Sequence, residues 1–407
     1  MEWNKVTLDK LCDFKNGLWK GKKGPFIHVG IIRNTNFTKG GLLDDSDIAY
    51  LDVEEKQYKT RKLEFGDLIL EKSGGGPKQP VGRVIPFEKT NGEFSFSNFT
   101  SIIRIRDKTL LEYSYLHKFL HYLYTTGATE QMQRQSTGIR NLQLKEYKLI
   151  DVPFPSILEQ KRIVSILDTV FADLEQVRAK TEQNLKNARD LFDSYLQQVF
   201  SQKGDGWVEA ELFDHIKFID YRGKTPKKTE RGLRLITAKN VRMGYLKTNP
   251  EEFVSPESYD GWMTRGIPKK GDVLFTSEAP LANVAQLDTD DKVVFAQRII
   301  TMQPDRSVIN CDFLKYLLMS PPIQQRIYDK GTGATVTGIK ASLLKKIVIE
   351  FPSNINEQEE YAIKLNSLTA HIKKLESIYQ HKLASIDELK KSILQKAFSG
   401  ELTATTS

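Results

Sequence analysis

The sequence predicts two similar globular domains alternating with two long antiparallel helices, a coiled-coil chain built as an internal repeat about a pseudo-twofold axis. Three observations predict it. Residues Glu159 through Ser201 align without a gap against Glu357 through Ser399, at a constant offset of 198. Apolar residues inside both copies fall at heptad spacing. Shorter matches recur in the segments ahead of each copy, starting from Trp3 and Trp207.

The first globular segment, residues 1–155, contains Ile32-Arg33-Asn34-Thr35-Asn36, Gly66-Asp67-Leu68-Ile69-Leu70 and Thr137-Gly138-Ile139-Arg140. Its counterpart, residues 204–353, contains Ile236-Thr237-Ala238-Lys239-Asn240, Gly271-Asp272-Val273-Leu274-Phe275 and Thr337-Gly338-Ile339-Lys340. Phe154-Pro155-Ser156 and Phe351-Pro352-Ser353 stand just before the repeated stretches. In the first stretch, residues 156–203, the apolar run is Ile163, Leu167, Val170, Leu174, Val177, Thr181, Ala188, Leu191 and Tyr195, skipping only Asn184. In the second, residues 354–407 including a tail, it is Tyr361, Leu365, Leu368, Ile372, Leu375, Tyr379, Ile386, Leu389 and Ile393. Alternating steps of four and three make a heptad seam, so each copy is predicted as one amphipathic helix, roughly 60 Å long at about 1.5 Å per residue. Such a helix cannot bury its stripe alone, and the other copy is the available partner.

Chain geometry sets the direction. The linker from Ser201 to Trp207 reaches only roughly 20 Å. Domain ends commonly lie close together, so the second helix starts where the first stops and the pair is antiparallel. The two domains then lie at opposite ends of the pair.

The chain has 407 residues, 39% of them hydrophobic and 28% charged, which suits a soluble globular protein with two cores and excludes a disordered chain. No apolar run approaches the roughly 20 residues that span a bilayer, and Met1-Glu2-Trp3-Asn4-Lys5 lacks the apolar core of a signal peptide. A cytoplasmic protein without a membrane partner is expected. Cys12 and Cys311 occupy non-equivalent places and read as reduced thiols, and the six histidines are scattered without metal-ligand spacing.

A net charge of +8 points to a polyanion because the basic residues gather in glycine-rich loops. Lys20, Lys22 and Lys23 share one such loop, Arg222, Lys224, Lys227 and Lys228 its counterpart, and phosphate contact is the natural use. Groups suited to base edges occupy other loops: Arg33, Asn34, Asn36, Gln79, Arg83, Asn98, Arg134 and Gln135 in the first domain, where Lys78, Thr137 and Arg140 are further candidates for DNA contact. Lys239, Asn240, Gln297, Arg298 and Lys340 are the second set, with Thr337 a further candidate for DNA contact. The surrounding scaffold repeats while loop contents differ: Ser73-Gly74-Gly75-Gly76-Pro77-Lys78-Gln79-Pro80 stands opposite Glu278-Ala279-Pro280-Leu281-Ala282-Asn283. One scaffold carrying two loop sets is expected to read two different short sequences, separated by unread base pairs.

No catalytic site is legible. The strings nearest to an adenine methyltransferase turn, Asn249-Pro250-Glu251 and Ser320-Pro321-Pro322-Ile323, lack its pattern; Gly223-Lys224-Thr225 lacks the upstream glycine of a phosphate-binding loop. The carboxylates of Asp52-Val53-Glu54-Glu55-Lys56 read as a solvated face. A catalytic enzyme with its own recognition domains, and a scaffold or RNA-binding coiled coil without duplex specificity, are the competing readings.

The Phe-Pro-Ser segments leading to Glu159-Gln160 and Glu357-Gln358, the paired Gly-Asp segments, the paired Thr-Gly-Ile turns and the closing Gln395-Lys396-Ala397-Phe398-Ser399-Gly400-Glu401-Leu402 together resemble the specificity subunit of a type I restriction-modification enzyme, over essentially the whole chain. Asn354-Ile355-Asn356 and Tyr361-Ala362 depart from that pattern. The resemblance implies α/β (α+β) target recognition domains that each grip half of a bipartite site on double-stranded DNA. It implies helices that set the spacing and dock two methyltransferase subunits, with restriction subunits joining through the complex. It also implies no cofactor in this chain: S-adenosylmethionine, ATP and Mg would be bound by the partner subunits.

Overall fold

A computed structural model describes residues 3–19, 21, 23–76, 79–136, 138–221, 226–333 and 337–403. The chain divides into two compact units: Met1–Thr181 with His381–Ser407, and Glu182–Gln380. Each unit holds one globular domain and a part of both long helices, which run Ile157–Ser201 and Ile355–Ser399.

The two domains repeat one mixed α/β plan. In the first, a four-stranded antiparallel sheet has the order Cys12–Asn16, Thr100–Ile105, Asp67–Glu71, Val84–Phe87. A smaller sheet pairs Phe26–Ile32 antiparallel with Ala49–Glu54 and parallel with Phe94–Phe96. The second domain repeats the antiparallel sheet as Ile216–Asp220, Ile299–Pro304, Val273–Thr276, Val284–Gln286. Its Leu233–Ile236 strand runs parallel to Val293–Phe295. The Asp67–Glu71 and Val273–Thr276 strands are buried along their whole length, as expected of central strands covered on both faces.

The Gly-Asp segments are turns that launch those strands. Gly66 and Gly271 have φ of 89° and 86°, a conformation glycine adopts without a Cβ penalty. Asp67 Oδ2 accepts from the Glu64 amide (2.8 Å) and Asp272 Oδ2 from the Lys269 amide (2.7 Å), closing each turn with a side chain. Arg104 then clamps the buried Asp67 through Nε (2.7 Å) and Nη2 (2.6 Å).

The ends of each domain are tied together. Asn4–Thr7 pairs antiparallel with Asp151–Phe154, and Trp207–Glu211 with Val348–Pro352. Each domain therefore releases its long helix beside its own first strand. A buried glutamine fixes that exit. Gln160 Oε1 accepts from the Glu112 amide (2.9 Å), and its Nε2 donates to the carbonyls of Leu110 and Pro155 (both 2.9 Å). Gln358 does the same with the Asn310 amide (2.9 Å) and the carbonyls of Val308 and Pro352 (both 2.8 Å).

Within the first unit the start of the first helix and the end of the second share one core: Ile163, Leu167, Leu394, Ala397 and Phe398 pack with Tyr115, Leu116 and Phe119. Phe398 lies 5.3 to 5.6 Å, ring to ring, from Phe119, Tyr115 and Tyr122. In the second unit Leu196, Val199 and Phe200 join Ala362 and Leu365 around Phe313 and Leu317. Tyr361 and Ala362, the departures noted in the sequence, belong to that packing: Tyr361 sits edge-on to Trp207, and Ala362 is buried. The helices run antiparallel. Arg178 meets Asp387 and Glu175 meets Lys390 in the first unit, so a step back along one helix is a step forward along the other.

The heptad seam is corrected in two respects, the first being that equivalent Val177 and Leu375 are each 38% exposed. The second is that Leu191 and Leu389, equivalent in the two copies, are 59% and 47% exposed. The buried stripe shifts to Leu196, Val199 and Phe200, and to Leu394, Ala397 and Phe398, because near its C-terminus each helix also packs on a globular domain. A single-partner heptad does not describe a helix with two partners.

The buried glutamines and the buried histidines each generate a prediction. Gln160→Leu keeps the shape but leaves one amide and two carbonyls buried without partners, a loss of about 2–4 kcal/mol. Hydrogen exchange should show protection falling in the first unit alone; Gln358→Leu should do so in the second. His117 is buried, and burial pushes its pKa down to about 3; the same cause, with Lys118 nearby, takes partly buried His121 to about 4. The unfolded chain protonates near 6.5 while the folded unit stays neutral, so the unfolded state binds more protons over that interval. Stability is full above pH 6.5 and drains as pH falls from 6.5 toward 4. Urea midpoints against pH should show this slope for the first unit, and His121→Asn should make it shallower while His117 keeps the remainder.

Candidate nucleic-acid interface

At one end of the first domain's central sheet five segments converge. The Asp67–Glu71 strand runs on into Lys72, whose amide, like that of Ser73, donates to the Phe99 carbonyl (3.0 and 3.2 Å). Ser73–Gly75 is the edge of a three-stranded sheet with Ile139–Leu142 and Gln133–Ser136. Asn34 Nδ2 donates to the Ser73 carbonyl (2.6 Å), and Ser73 Oγ to Asn141 Oδ1 (2.5 Å). From the N-terminal side, Gly17 passes so close to this cluster that a Cβ there would lie 1.8 Å from the Ser97 carbonyl oxygen. Lys72 Nζ donates to Asn16 Oδ1 (2.8 Å), and burial pushes its pKa below the usual lysine range.

The second domain repeats the convergence with different side chains. The Ser277 amide donates to the Arg298 carbonyl (3.0 Å), and the Ile339 amide to the Ser277 carbonyl (2.9 Å). Gly338 and Thr332 exchange two backbone bonds of 3.0 and 2.8 Å. Gly338 also bridges Glu278, and Glu278 pairs with Arg298 Nε at 2.8 Å. Thus the loop after the central strand, the loop carrying Arg298 and the Thr-Gly-Ile turn meet, as their counterparts do in the first domain.

The sequence-predicted residues separate into three groups. Asn36 and Asn240 are corrected to scaffold: each is 1% exposed and saturated. Asn36 accepts from the Arg33 amide and donates to the carbonyls of Asp44 and Asp47; Asn240 accepts from Thr237 and donates to the carbonyls of Lys247, Thr248 and Pro250. A base edge would have to displace those bonds. Arg83 is corrected likewise: Nε and Nη2 fork onto buried Glu71 (2.7 and 2.8 Å) while Nη1 donates to the Phe37 carbonyl (2.9 Å). Arg33 is half-buried and leans on Asp47.

Residues presented at the surface are Lys23, Gln79, Arg134, Lys227, Lys228, Lys239, Arg298, Thr337 and Lys340, with Asn34, Asn98, Arg140 and Gln297 half-buried. Gln79 turns its amide oxygen to Arg83 (2.9 and 3.2 Å), Arg140 has Glu130 at 3.6 Å, and Lys228 has Glu252 at 2.8 Å. Lys20, Lys22, Lys78, Thr137, Arg222 and Lys224 lie outside the described residues, as does the side chain of Gln135. Sequence reasoning passed over Trp19, which is 70% exposed, and Phe99, also exposed beside Asn98. A large aromatic inside a glycine-lysine loop was the available signal, since it gains nothing from burial there and offers a face for stacking.

Asp52, Glu54 and Glu55 contact His28, the Lys23 amide and Lys59. Among the described residues no group of three or more His, Cys, Asp or Glu is arranged to hold a metal ion, and no helix is long and apolar enough to cross a membrane.

Residues 1–186 and 213–381 match the family model for the type I restriction modification DNA specificity domain, and the chain belongs to that family. It is a specificity chain of the type I restriction-modification class, the non-catalytic, DNA-recognising component. It is 24% identical over 402 residues to the type I restriction enzyme EcoKI specificity subunit of Escherichia coli strain K12, across 93% of this chain and 83% of that one. The StySPI specificity subunit of Salmonella potsdam is 24% identical over 413 residues, with the same coverage. Among solved structures, the fold superposes with a TM-score of 0.78 on a chain from a study of complex assembly and conformational transition of the type I R-M system; identity is 18% and 98% of each chain is covered. The crystal structure of the HsdS subunit from Thermoanaerobacter tengcongensis gives 0.61, at 18% identity, covering 98% of this chain and 97% of that one.

Arg83→Ala should behave as a folding variant. It leaves the buried Glu71 carboxylate without its fork, a loss of about 3–5 kcal/mol, which urea unfolding will report; the salt dependence of DNA binding by the folded fraction should keep the wild-type slope.

Proposed function

We propose that each domain reads one half of a bipartite site on double-stranded DNA, and that the chain carries this specificity into a complex with two methyltransferase subunits. Restriction subunits join through that complex in the cytoplasm. S-adenosylmethionine, ATP and Mg are bound by those partners rather than here. The long helices set the distance between half-sites and give the methyltransferase subunits a place to dock.

The observation carrying this reading is the repeated convergence of loops on one scaffold with divergent contents. Hydrogen bonds of the main chain hold both clusters alike, the Lys72 amide on the Phe99 carbonyl matching the Ser277 amide on the Arg298 carbonyl, whereas Ser73 and Phe99 stand in one where the paired Glu278 and Arg298 stand in the other. Main-chain positioning with variable side chains suits a reader, because side chains carry base discrimination while the backbone fixes approach. The exposed lysines and arginines supply the phosphate contacts that make such binding salt-dependent.

Sequencing methylated DNA from cells with and without this gene, in the presence of the cognate methyltransferase, tests the proposal. Deletion should erase methylation at one gapped motif, both halves at once. An unchanged methylome rules the reading out, and loss of methylation at an ungapped motif rules out its bipartite part.

A further inference from the structure

The ion pairs between the long helices follow a rule that the repeat makes visible. In the first unit Arg178 pairs with Asp387, and in the second Arg189 pairs with Glu376 at 2.6 Å. At the offset of 198, Arg178 is equivalent to Glu376 and Arg189 to Asp387. The two pairs are therefore pseudo-twofold mates, and in both the first helix supplies arginine and the second a carboxylate. A third contact, Glu175 with Lys390, has Lys373 and Phe192 at the mated positions.

We propose that this charge pattern is a pairing code that joins each first helix to a second helix and rejects joining of like helices from two copies of the chain. The register decides it. If two first helices met as the native pair does, Arg178 would face Arg189 of the other copy, twice. If two second helices met, Glu376 would face Asp387 and Lys373 would face Lys390, each twice. Only the unlike pair is complementary. The heptad spacing cannot make this choice, because both helices repeat it; side-chain size, with Thr181 and Ala188 in the first helix where Tyr379 and Ile386 stand in the second, acts alongside the charges. Exposed ion pairs contribute little to stability, but the sign of such contacts sets partner choice in coiled coils.

Arg189→Glu with Asp387→Arg in the full chain tests the code at unchanged net charge. It makes both native contacts like-charged, and it makes the 178–189 contact of two first helices and the 376–387 contact of two second helices complementary, so that two first helices gain most because two second helices still set Lys373 against Lys390. Sedimentation equilibrium should show self-association at least tenfold tighter than wild type, together with a lower unfolding midpoint. Adding Arg178→Glu and Glu376→Arg restores opposite charges across the native pair and should restore wild-type behaviour in both measurements. The idea fails if the double variant matches wild type, or if the fourfold variant associates or unfolds as the double variant does. Should the double variant not fold at all, a fourfold variant that folds like wild type supports the code, and one that also fails to fold overturns it.

Discussion

Each globular domain depends on how its helix leaves it, and one buried amide governs that exit. Gln160 and Gln358 each satisfy one backbone donor and two backbone acceptors with a single side chain. The groups they satisfy lie in the last strand's end and in the segment capping the domain's own helix, where Glu112 and Asn310 are the N-caps. A glutamate would set a carboxylate against two carbonyl oxygens, and an alanine would not reach. The motif that marks the repeat in sequence is thus a mechanical joint, and the direction of the helix follows from it.

Much of the architecture was legible because it is periodic or duplicated. The helices, their antiparallel sense and the paired turns rest on spacing, which sequence displays directly. The site was less legible, since residue type does not reveal whether an amide faces solvent. Asn36 and Asn240 look like base readers, yet they are the same residue at the same place in both halves, tying the same kind of turn. Identity across the repeat is what a scaffold residue shows; a residue that reads a different half-site should differ. Arg83 misleads for a related reason, as its partner Glu71 is twelve residues away in sequence and adjacent only across the sheet edge. The seam fails at Leu191 and Leu389, where a second packing partner turns the buried face.

The two units also solve one packing problem with different chemistry. Lys118 and Asp168 form an ion pair (2.5 Å) between the first domain's helix and the first long helix. At the equivalent positions stand Tyr316 and Asn366, joined by a 2.7 Å hydrogen bond. Asn366 in turn donates to Asp312 (2.7 Å) and accepts from buried Lys315 (3.2 Å), whose pKa burial lowers. A neutral Tyr316–Asn366 bond takes the place of the ion pair on the long helix, with the charges supplied by Lys315 and Asp312 of the domain helix, while in the first unit the ion pair keeps Asp168 largely in water. Geometry is preserved while charge is free to vary, the same freedom the loops show.

That freedom has a consequence for the two reading surfaces. In the second domain Glu278 and Glu252 hold Arg298 and Lys228 at hydrogen-bonding distance; in the first, Arg140 has Glu130 only at 3.6 Å, and Arg134 is exposed. On the proposed reading, a polyanion approaching the second surface exchanges existing ion pairs for new ones, so the net electrostatic gain per contact is smaller. The held guanidinium is, in return, already ordered and loses less side-chain entropy on binding. At Arg298 and Lys228, then, fit contributes more than charge, while Lys227, Lys239 and Lys340 of the same domain are exposed to supply the non-specific attraction.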